Sequence, residues 1–395
     1  MMKTNKFSLR LPKGRDIQLQ IAMILLMGIG LVMSASAAMT SDVVLYDLLI
    51  TVIKQTVFLA IGYVAYIWFS KHFSLSFFRR YYWLVILVSI VMALVPLFSK
   101  EINGAKAWIL VDLKFIDFSI QPSEFLKVVS IVMLAVYMGD VKDNSSKLSQ
   151  VLRIPFYFIG ALLFIIIFLQ SDLGSGLVLL GICTLVFLLS SFPKLKWIQW
   201  LVFGIMIFVI ILAGLLLTPS GIAFLKTLPI PDYMVKRFEN TIDPFLNRYG
   251  TGYQLVSSLM AFVKGDWLGV GFGKSLQKYG YLPAAQTDFI LAVIAEELGF
   301  IWVFLVTILT LFLVVRLLIF AYRSPQDSSK MILAGIAYYL LLHFILNVGG
   351  VTALIPLTGV PLLLISSGGS SAISFLIALG IAQRLISLQR TQVKP

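Results

Sequence analysis

Charge is scarce in this chain. Only 12% of its 395 residues are Asp, Glu, Lys or Arg, while 59% are hydrophobic, a balance far from that of an ordinary soluble domain. Cysteine occurs once, at Cys183, so no intrachain disulfide can form and redox compartment cannot be read from cysteine usage. The two histidines, His72 and His343, stand far apart, and no Cys/His cluster suggests a zinc site. No repeat of roughly 20–50 residues is evident, and neither end carries a soluble domain.

Long apolar runs fill the space. They recur along the chain at about 20 residues each, the length that crosses a bilayer. The pattern predicts an all-α polytopic membrane protein, one membrane domain with ten transmembrane helices: roughly 17–38, 47–69, 81–98, 121–138, 154–170, 173–192, 198–217, 287–319, 331–354 and 369–388. The eighth run is over-long and reads as tilted or extending into water. Pro356, Gly359, Pro361 and the glycine pairs Gly349-Gly350 and Gly368-Gly369 interrupt the last runs, and irregular backbone at that depth belongs inside protein or beside a wet cavity.

Basic residues set the expected orientation. With the N-terminus inside, cytoplasmic segments hold 19 of the 31 Lys and Arg against four acids, leaving about +15 on that side. The net charge of +13 is thus a topology signal. A nucleic-acid patch is the weaker reading, because the cations are dispersed over many short loops. Residues 1–16 and 389–395 become cytoplasmic tails. The small residues Ser34-Ala35-Ser36-Ala37-Ala38 resemble a signal-peptide end, but the apolar run before them suits a retained first helix.

Residues 218–286 form the longest non-spanning segment, expected on the extracytoplasmic side. Loops of that length are functional or disordered. Its aromatics, among them Tyr249, Tyr253 and Trp267, predict a segment folded back on the bundle with short amphipathic helices, one around 254–263. It leads through Gly269-Val270-Gly271-Phe272-Gly273 and Leu282-Pro283-Ala284-Ala285-Gln286-Thr287-Asp288-Phe289 into the eighth run. A carboxylate where loop enters membrane is costly unless used, and Glu296 and Glu297 follow about 12–13 Å along the helix. Other polar groups expected near the same face are Asn103-Gly104-Ala105-Lys106-Ala107-Trp108, Gln121-Pro122-Ser123-Glu124-Phe125-Leu126-Lys127, Asp172-Leu173-Gly174, Gly252-Tyr253-Gln254, Asn347 and Gly368-Gly369-Ser370-Ser371. Pro122 suits a first helical turn, and Glu124 and Lys127, three apart, share a helix face.

Taken in order, these motifs resemble the SEDS family, the shape, elongation, division and sporulation proteins, over about residues 20–388. The Ser275–Pro283 stretch and the end of the first span are more similar to its division-type members than to its elongation-type ones. The resemblance implies a ten-helix peptidoglycan glycosyltransferase of the bacterial cytoplasmic membrane, polymerising lipid II, an undecaprenyl-diphosphate-linked disaccharide-pentapeptide, at the outer face. It implies a class B penicillin-binding protein (the transpeptidase) and divisome proteins as partners, and a septal location. Asp288 matches the family's essential aspartate by its Thr-Asp-Phe setting. The chain departs from the pattern at Ala284 and Gln286, where relatives carry an acid and a histidine, and at Ser367, where they carry tyrosine.

The chemistry fits these residue types. A sugar hydroxyl attacking an anomeric carbon needs a base, which Asp288 can be, and a departing diphosphate needs positive charge. Lys127, Lys106, Arg248, Lys274 and Lys278 are the candidate cations, with Glu124, Gln254 and Thr287 completing the substrate-binding set; a divalent cation, Mg or Mn, is the candidate cofactor. Plainer readings stand beside these. Thr287 or Asp288 can cap a helix, Glu124 and Lys127 can be a structural ion pair, and the glycine run can be a tight turn. A lipid II flippase, with Glu124, Lys127, Glu296 and Glu297 lining a path, and a scaffold that recruits the transpeptidase are the alternative functions.

Overall fold

The computed structural model describes residues 11–39, 45–102, 104–113, 116–139, 148–229 and 232–392. Asn103, the loop cations Lys142 and Lys147, and most of the two expected tails lie outside the described residues.

The chain is mostly helical. Its first half comprises α1 (Ile17–Ala38), α2 (Leu45–His72), α3 (Leu75–Arg80), α4 (Tyr82–Leu94), α5 (Pro122–Met138), α6 (Leu148–Phe164) and α7 (Leu173–Leu188). The second half follows with α8 (Lys196–Leu216), α9 (Pro219–Leu225), α10 (Asp232–Ile242), α11 (Tyr253–Gly265), α12 (Ile290–Leu298), α13 (Phe300–Tyr322), α14 (Asp327–Val351) and α15 (Gly369–Gln392). Among the described residues seven helices are long and apolar enough to cross a membrane, namely those at α1, α2, α6, α8, α13, α14 and α15. Two shorter apolar helices cover Tyr82–Phe98 and Leu173–Leu188. Among the described residues two strands form one antiparallel pair, β1 (Ile109–Leu113) and β2 (Ile116–Ile120), with Ile109 opposite Ile120.

Local chemistry explains several starts. Asp16 caps α1 by accepting from the Leu19 N–H at 2.8 Å, and Asp172 caps α7 by accepting from Ser175 at 3.0 Å. Pro122 opens α5 where its missing N–H costs nothing. Burial then sorts helices that composition alone cannot rank. α5, α14 and α15 form the interior, whereas no residue of α8 is buried. A helix apolar nearly all round and left this open suits lipid contact.

The eighth predicted run is not one helix. It breaks at Gly299 into α12, whose residues Ile290 to Glu297 are all buried, and α13. Gly299 has φ +78°, and its neighbour Phe300 donates its N–H to Asp266 O at 2.9 Å, leaving the helical ladder for a tertiary partner. The break brings α11 flush against α12: a Cβ at Gly265 would overlap Ala295 O. The loop 218–286 holds the three short helices α9, α10 and α11, the last close to the predicted 254–263.

The ends of α1, α13 and α15 meet on one carboxylate. Asp16 Oδ2 accepts from Arg316 Nη2 at 2.7 Å and from Arg390 Nη2 at 2.6 Å, while Gln383 brackets the Asp16 backbone through both its amide atoms.

Candidate functional site

Asp288 is delivered by a tight coil. Ala284 adopts φ +58°, a left-handed conformation uncommon for a residue with a side chain, and its carbonyl accepts from the N–H groups of Thr287 (3.0 Å) and Phe289 (3.3 Å). The coil ends where α12 begins, with Phe289 at the N-cap and no side-chain capping bond. Neither Thr287 nor Asp288 caps the helix, so the capping reading gives way.

The backbone on either side of the carboxylate is clamped by two distant segments. Asn347, on α14, donates from Nδ2 to Asp288 O at 2.7 Å and to Val360 O at 2.9 Å. Ser366 donates to Thr287 O at 2.7 Å, and Ser367 donates from both its N–H and its hydroxyl to Gln286 O. With every neighbouring carbonyl held, the side chain is left to other work. It lies over Gly359, where an added Cβ would stand 3.6 Å from Oδ2. Among the described residues no cation pairs with it. Outside the spanning helices and partly buried, the carboxyl is pushed up to about 6 by burial, against an opposing hydrogen bond from Thr287.

Several of the predicted polar motifs converge on this end of the bundle. Gln121 donates from Nε2 to Asp172 Oδ2 at 2.8 Å and to Ser175 Oγ at 3.0 Å, and its N–H donates to Ser370 Oγ. The Lys106 N–H donates to Gln170 O at 2.9 Å, leaving its side chain exposed. Thr358 Oγ1 and Asn347 Oδ1, near Asp288, are buried and have no partner among the described residues. Gln254, on α11, is half-buried, and Arg248 is exposed, stacked over the Tyr249 ring at 5.6 Å.

Two candidate cations have their charge met inside the bundle. Lys127 Nζ lies 2.7 Å from Glu124 Oε1 and 3.1 Å from His343 Nε2, while Tyr339 donates to Glu124 Oε2. An ammonium donating to Nε2 leaves the His343 proton on Nδ1, which faces Pro361 O at 3.0 Å. The pair expected from sequence therefore has a third member that sequence analysis passed over. The signal was present: His343 and Asn347 are four apart on α14 and so share a face.

Lys278 is likewise consumed. Its Nζ lies 2.8 Å from Glu297 Oε1 and donates to the Ser36 carbonyl at 3.0 Å, all with buried side chains. Glu297 also accepts from Ser36 Oγ and from the N–H groups of Gly273 and Ser275, and Glu296 from Ser275 Oγ and the N–H groups of Leu276 and Gln277. Gly269, Gly271 and Gly273 all have positive φ, so the glycine run is the tight turn that lets the backbone wrap these carboxylates. Glu296 and Glu297 thus hold the loop to α12.

No group of three His, Cys, Asp or Glu able to hold a metal occurs among the described residues.

Comparison with known proteins gives one consistent answer. The family model for cell cycle proteins of the FtsW, RodA and SpoVE type matches residues 17–391. Stage V sporulation protein E of Bacillus subtilis (strain 168) is 32% identical over 370 residues, covering 93% of this chain and 95% of that protein. A probable peptidoglycan glycosyltransferase FtsW of Pseudoalteromonas translucida (strain TAC 125) is 32% identical over 379 residues, covering 94% and 89%. Among solved structures, a chain from work on the structural coordination of polymerization and crosslinking by a peptidoglycan synthase complex superposes with a TM-score of 0.70 at 23% identity, covering 96% and 99%. The rod shape determining protein RodA of Thermus thermophilus gives 0.60 at 23% identity, covering 96% and 98%. The two superpositions show a shared fold.

Proposed function

Since the chain belongs to the FtsW/RodA/SpoVE family of cell cycle proteins, we propose that it is a peptidoglycan glycosyltransferase that polymerises lipid II with Asp288 as general base. The observation that carries this is the state of Asp288: a partly buried carboxylate with clamped backbone, no cation partner among the described residues and a proton affinity near 6. A base is most effective when its pKa lies near the working pH.

In this mechanism Asp288 takes the proton of the attacking sugar hydroxyl as the hydroxyl oxygen bonds to the anomeric carbon. The bond from that carbon to the diphosphate oxygen breaks on the opposite face, so configuration inverts. Diphosphate leaves readily, and no second carboxylic acid of the glycosidase type is needed. Lys106, exposed near the converging loops, is the cation offered to the leaving diphosphate. Thr287 tunes the neighbouring carboxyl, and Glu124 and Lys127 hold the helices beneath. A divalent cation, Mg or Mn, bound with the substrate would add positive charge at the leaving diphosphate.

The reading extends to the setting. The seven long helices, the two shorter apolar ones and α5 serve as ten spans. The termini face the cytoplasm, as the bias in Lys and Arg favours, with Asp288 and the 218–286 segment outside. The work is septal, beside a class B penicillin-binding protein and divisome proteins; a fold shared with a chain of a synthase complex that coordinates polymerization and crosslinking supports such a partnership.

The test is polymerisation of labelled lipid II by the purified protein, alone and with its transpeptidase. Glycan chains are expected from the wild type, with a loss of about 10²–10⁴-fold in Asp288→Asn. Chains made equally by the variant would remove Asp288 from the chemistry. Lipid II crossing proteoliposomes, with no polymer under any condition, would replace the polymerase by a transporter.

A further inference from the structure

A cleft of about 350 Å³ opens beside α11, apart from the coil that carries Asp288. Arg248, Tyr249, Ser257, Lys264, Gln277 and Tyr281 line it, with the apolar Val256, Met260 and Leu276 between them.

Two polar side chains of the lining are unspent. Ser257 and Gln277 are only 4% and 6% exposed, yet among the described residues no protein group hydrogen-bonds either side chain. Buried polar groups nearly always have partners. An amide that both donates and accepts, with a hydroxyl beside it, matches the hydroxyl and acetamido groups of a sugar. The rest of the lining suits the same ligand. Tyr249 and Tyr281 are 87% and 54% exposed, large rings each with an apolar face and a polar tip, the first with the Arg248 guanidinium over it at 5.6 Å. The charged lining residues are both cations, Arg248 and Lys264, with no carboxylate among them. A polyol with negative charge is the ligand these groups select.

The cleft is rigidly joined to the candidate catalytic site. The Gln277 N–H is held by Glu296 Oε2 at 3.2 Å, which fixes that part of the lining to α12. Ser258, beside Ser257, donates to Val351 O at 2.7 Å, one turn along α14 from the Asn347 that holds Asp288. Tyr281 and Asp288 are seven positions apart, so the two lie within roughly 25 Å even if that stretch were fully extended.

We infer that this cleft is a binding subsite for an acidic saccharide, and, resting on the polymerase reading above, for the nascent glycan strand with its carboxylate-bearing peptide stems. A strand held there stays at high effective concentration beside the base after each transfer. The cleft therefore governs product length.

The test uses the full chain in nanodiscs, with two readouts. Binding of fluorescent, lipid-free, uncrosslinked glycan strands is measured on Asp288→Asn protein, where turnover is suppressed. Tyr249→Ala, and separately the pair Ser257→Ala with Gln277→Leu, are expected to weaken it by about tenfold, the loss of one anchoring contact. Lys264→Gln is expected to weaken strands that carry peptide stems and to leave stem-free strands unaffected. In the wild-type background, Tyr249→Ala is expected to shorten the polymer. Since that ring is 87% exposed, its removal leaves folding intact. Strand affinity unchanged in both variants would overturn the inference, as would Tyr249→Ala releasing the transpeptidase while strands bind normally. A wild type that binds strands but never polymerises lipid II would sink the polymerase reading and leave the saccharide site standing.

Discussion

Asn347 holds Asp288 by its backbone: one amide nitrogen donates to the Asp288 carbonyl at 2.7 Å and to the Val360 carbonyl at 2.9 Å. The contact ties α14, the coil before α12 and the irregular segment before α15 into one frame. It leaves the Asp288 carboxylate out of the restraint.

Asn347→Leu therefore keeps the helix and removes the tie. Each carbonyl left without a donor costs about 1–3 kcal/mol. Polymerisation is expected to fall at least tenfold while the detergent-solubilised protein still elutes as a folded species. Asn347→Asp, which keeps an acceptor but supplies no N–H, is expected to behave as the leucine variant does. Unchanged rates in both would show that the tie does not position Asp288.

The pH dependence of activity should report Asp288. Burial raises its carboxyl from 3.8 to about 6, so the base is protonated in acid and turnover falls as pH drops through about 6. Stability moves oppositely. The folded state holds this proton more tightly than the unfolded one, so folding loses stability as pH rises from 3.8 through about 6. Asp288→Asn should melt higher than wild type at about pH 8 and equally at about pH 3, a comparison that thermal scans can make.

Glu297 and Lys278 form a buried pair at 2.8 Å. Removing one partner strands a charge, at about 3–5 kcal/mol. Glu297→Gln and Lys278→Met are each expected to lower the melting temperature, and the double variant to recover part of the loss. A double-mutant cycle with no coupling would dissolve the assignment of these residues as the fastener of the 269–278 turn.

At the opposite end, Asp16 binds Arg316 and Arg390. Burial works against its ionised form, but the Arg316 hydrogen bond, the Leu19 N–H and both guanidinium charges outweigh it and hold the carboxyl below 3.8. That stability is fully present above 3.8 and is lost as pH falls through the lower folded value. Asp16→Ala is expected to cost about 2–3 kcal/mol near neutrality and progressively less in strong acid, read from melting curves across pH.

The apolar helices were legible because hydropathy needs no partner: α1, α5, α7, α8 and α15 begin within two residues of their predicted starts. The Glu124–Lys127 pair was legible too, three residues apart on one helix face. His343, which completes that network, lies 216 residues from Lys127; its spacing to Asn347 puts those two on one face of α14, but nothing local ties it to Lys127. Lys278 looked like a cation for diphosphate because its loop is polar; that it is sealed against Glu297 depends on how the glycine turn folds over α12. The break at Gly299 was hidden, since one glycine in an apolar run is usually tolerated, and here the Asp266 carbonyl competes for the next N–H.

Composition, periodicity and motif order by themselves determined the class of the chain, its family and the aspartate that its motif singles out. These follow from transfer energies and residue chemistry, which each segment carries alone. Only the tertiary structure decided which cations are already paired, which carboxylates fasten a loop, and that Asp288 is neither a cap nor half of an ion pair among the described residues. Those outcomes depend on pairings across up to several hundred residues, where burial removes water and leaves each polar group dependent on whatever the fold brings within reach.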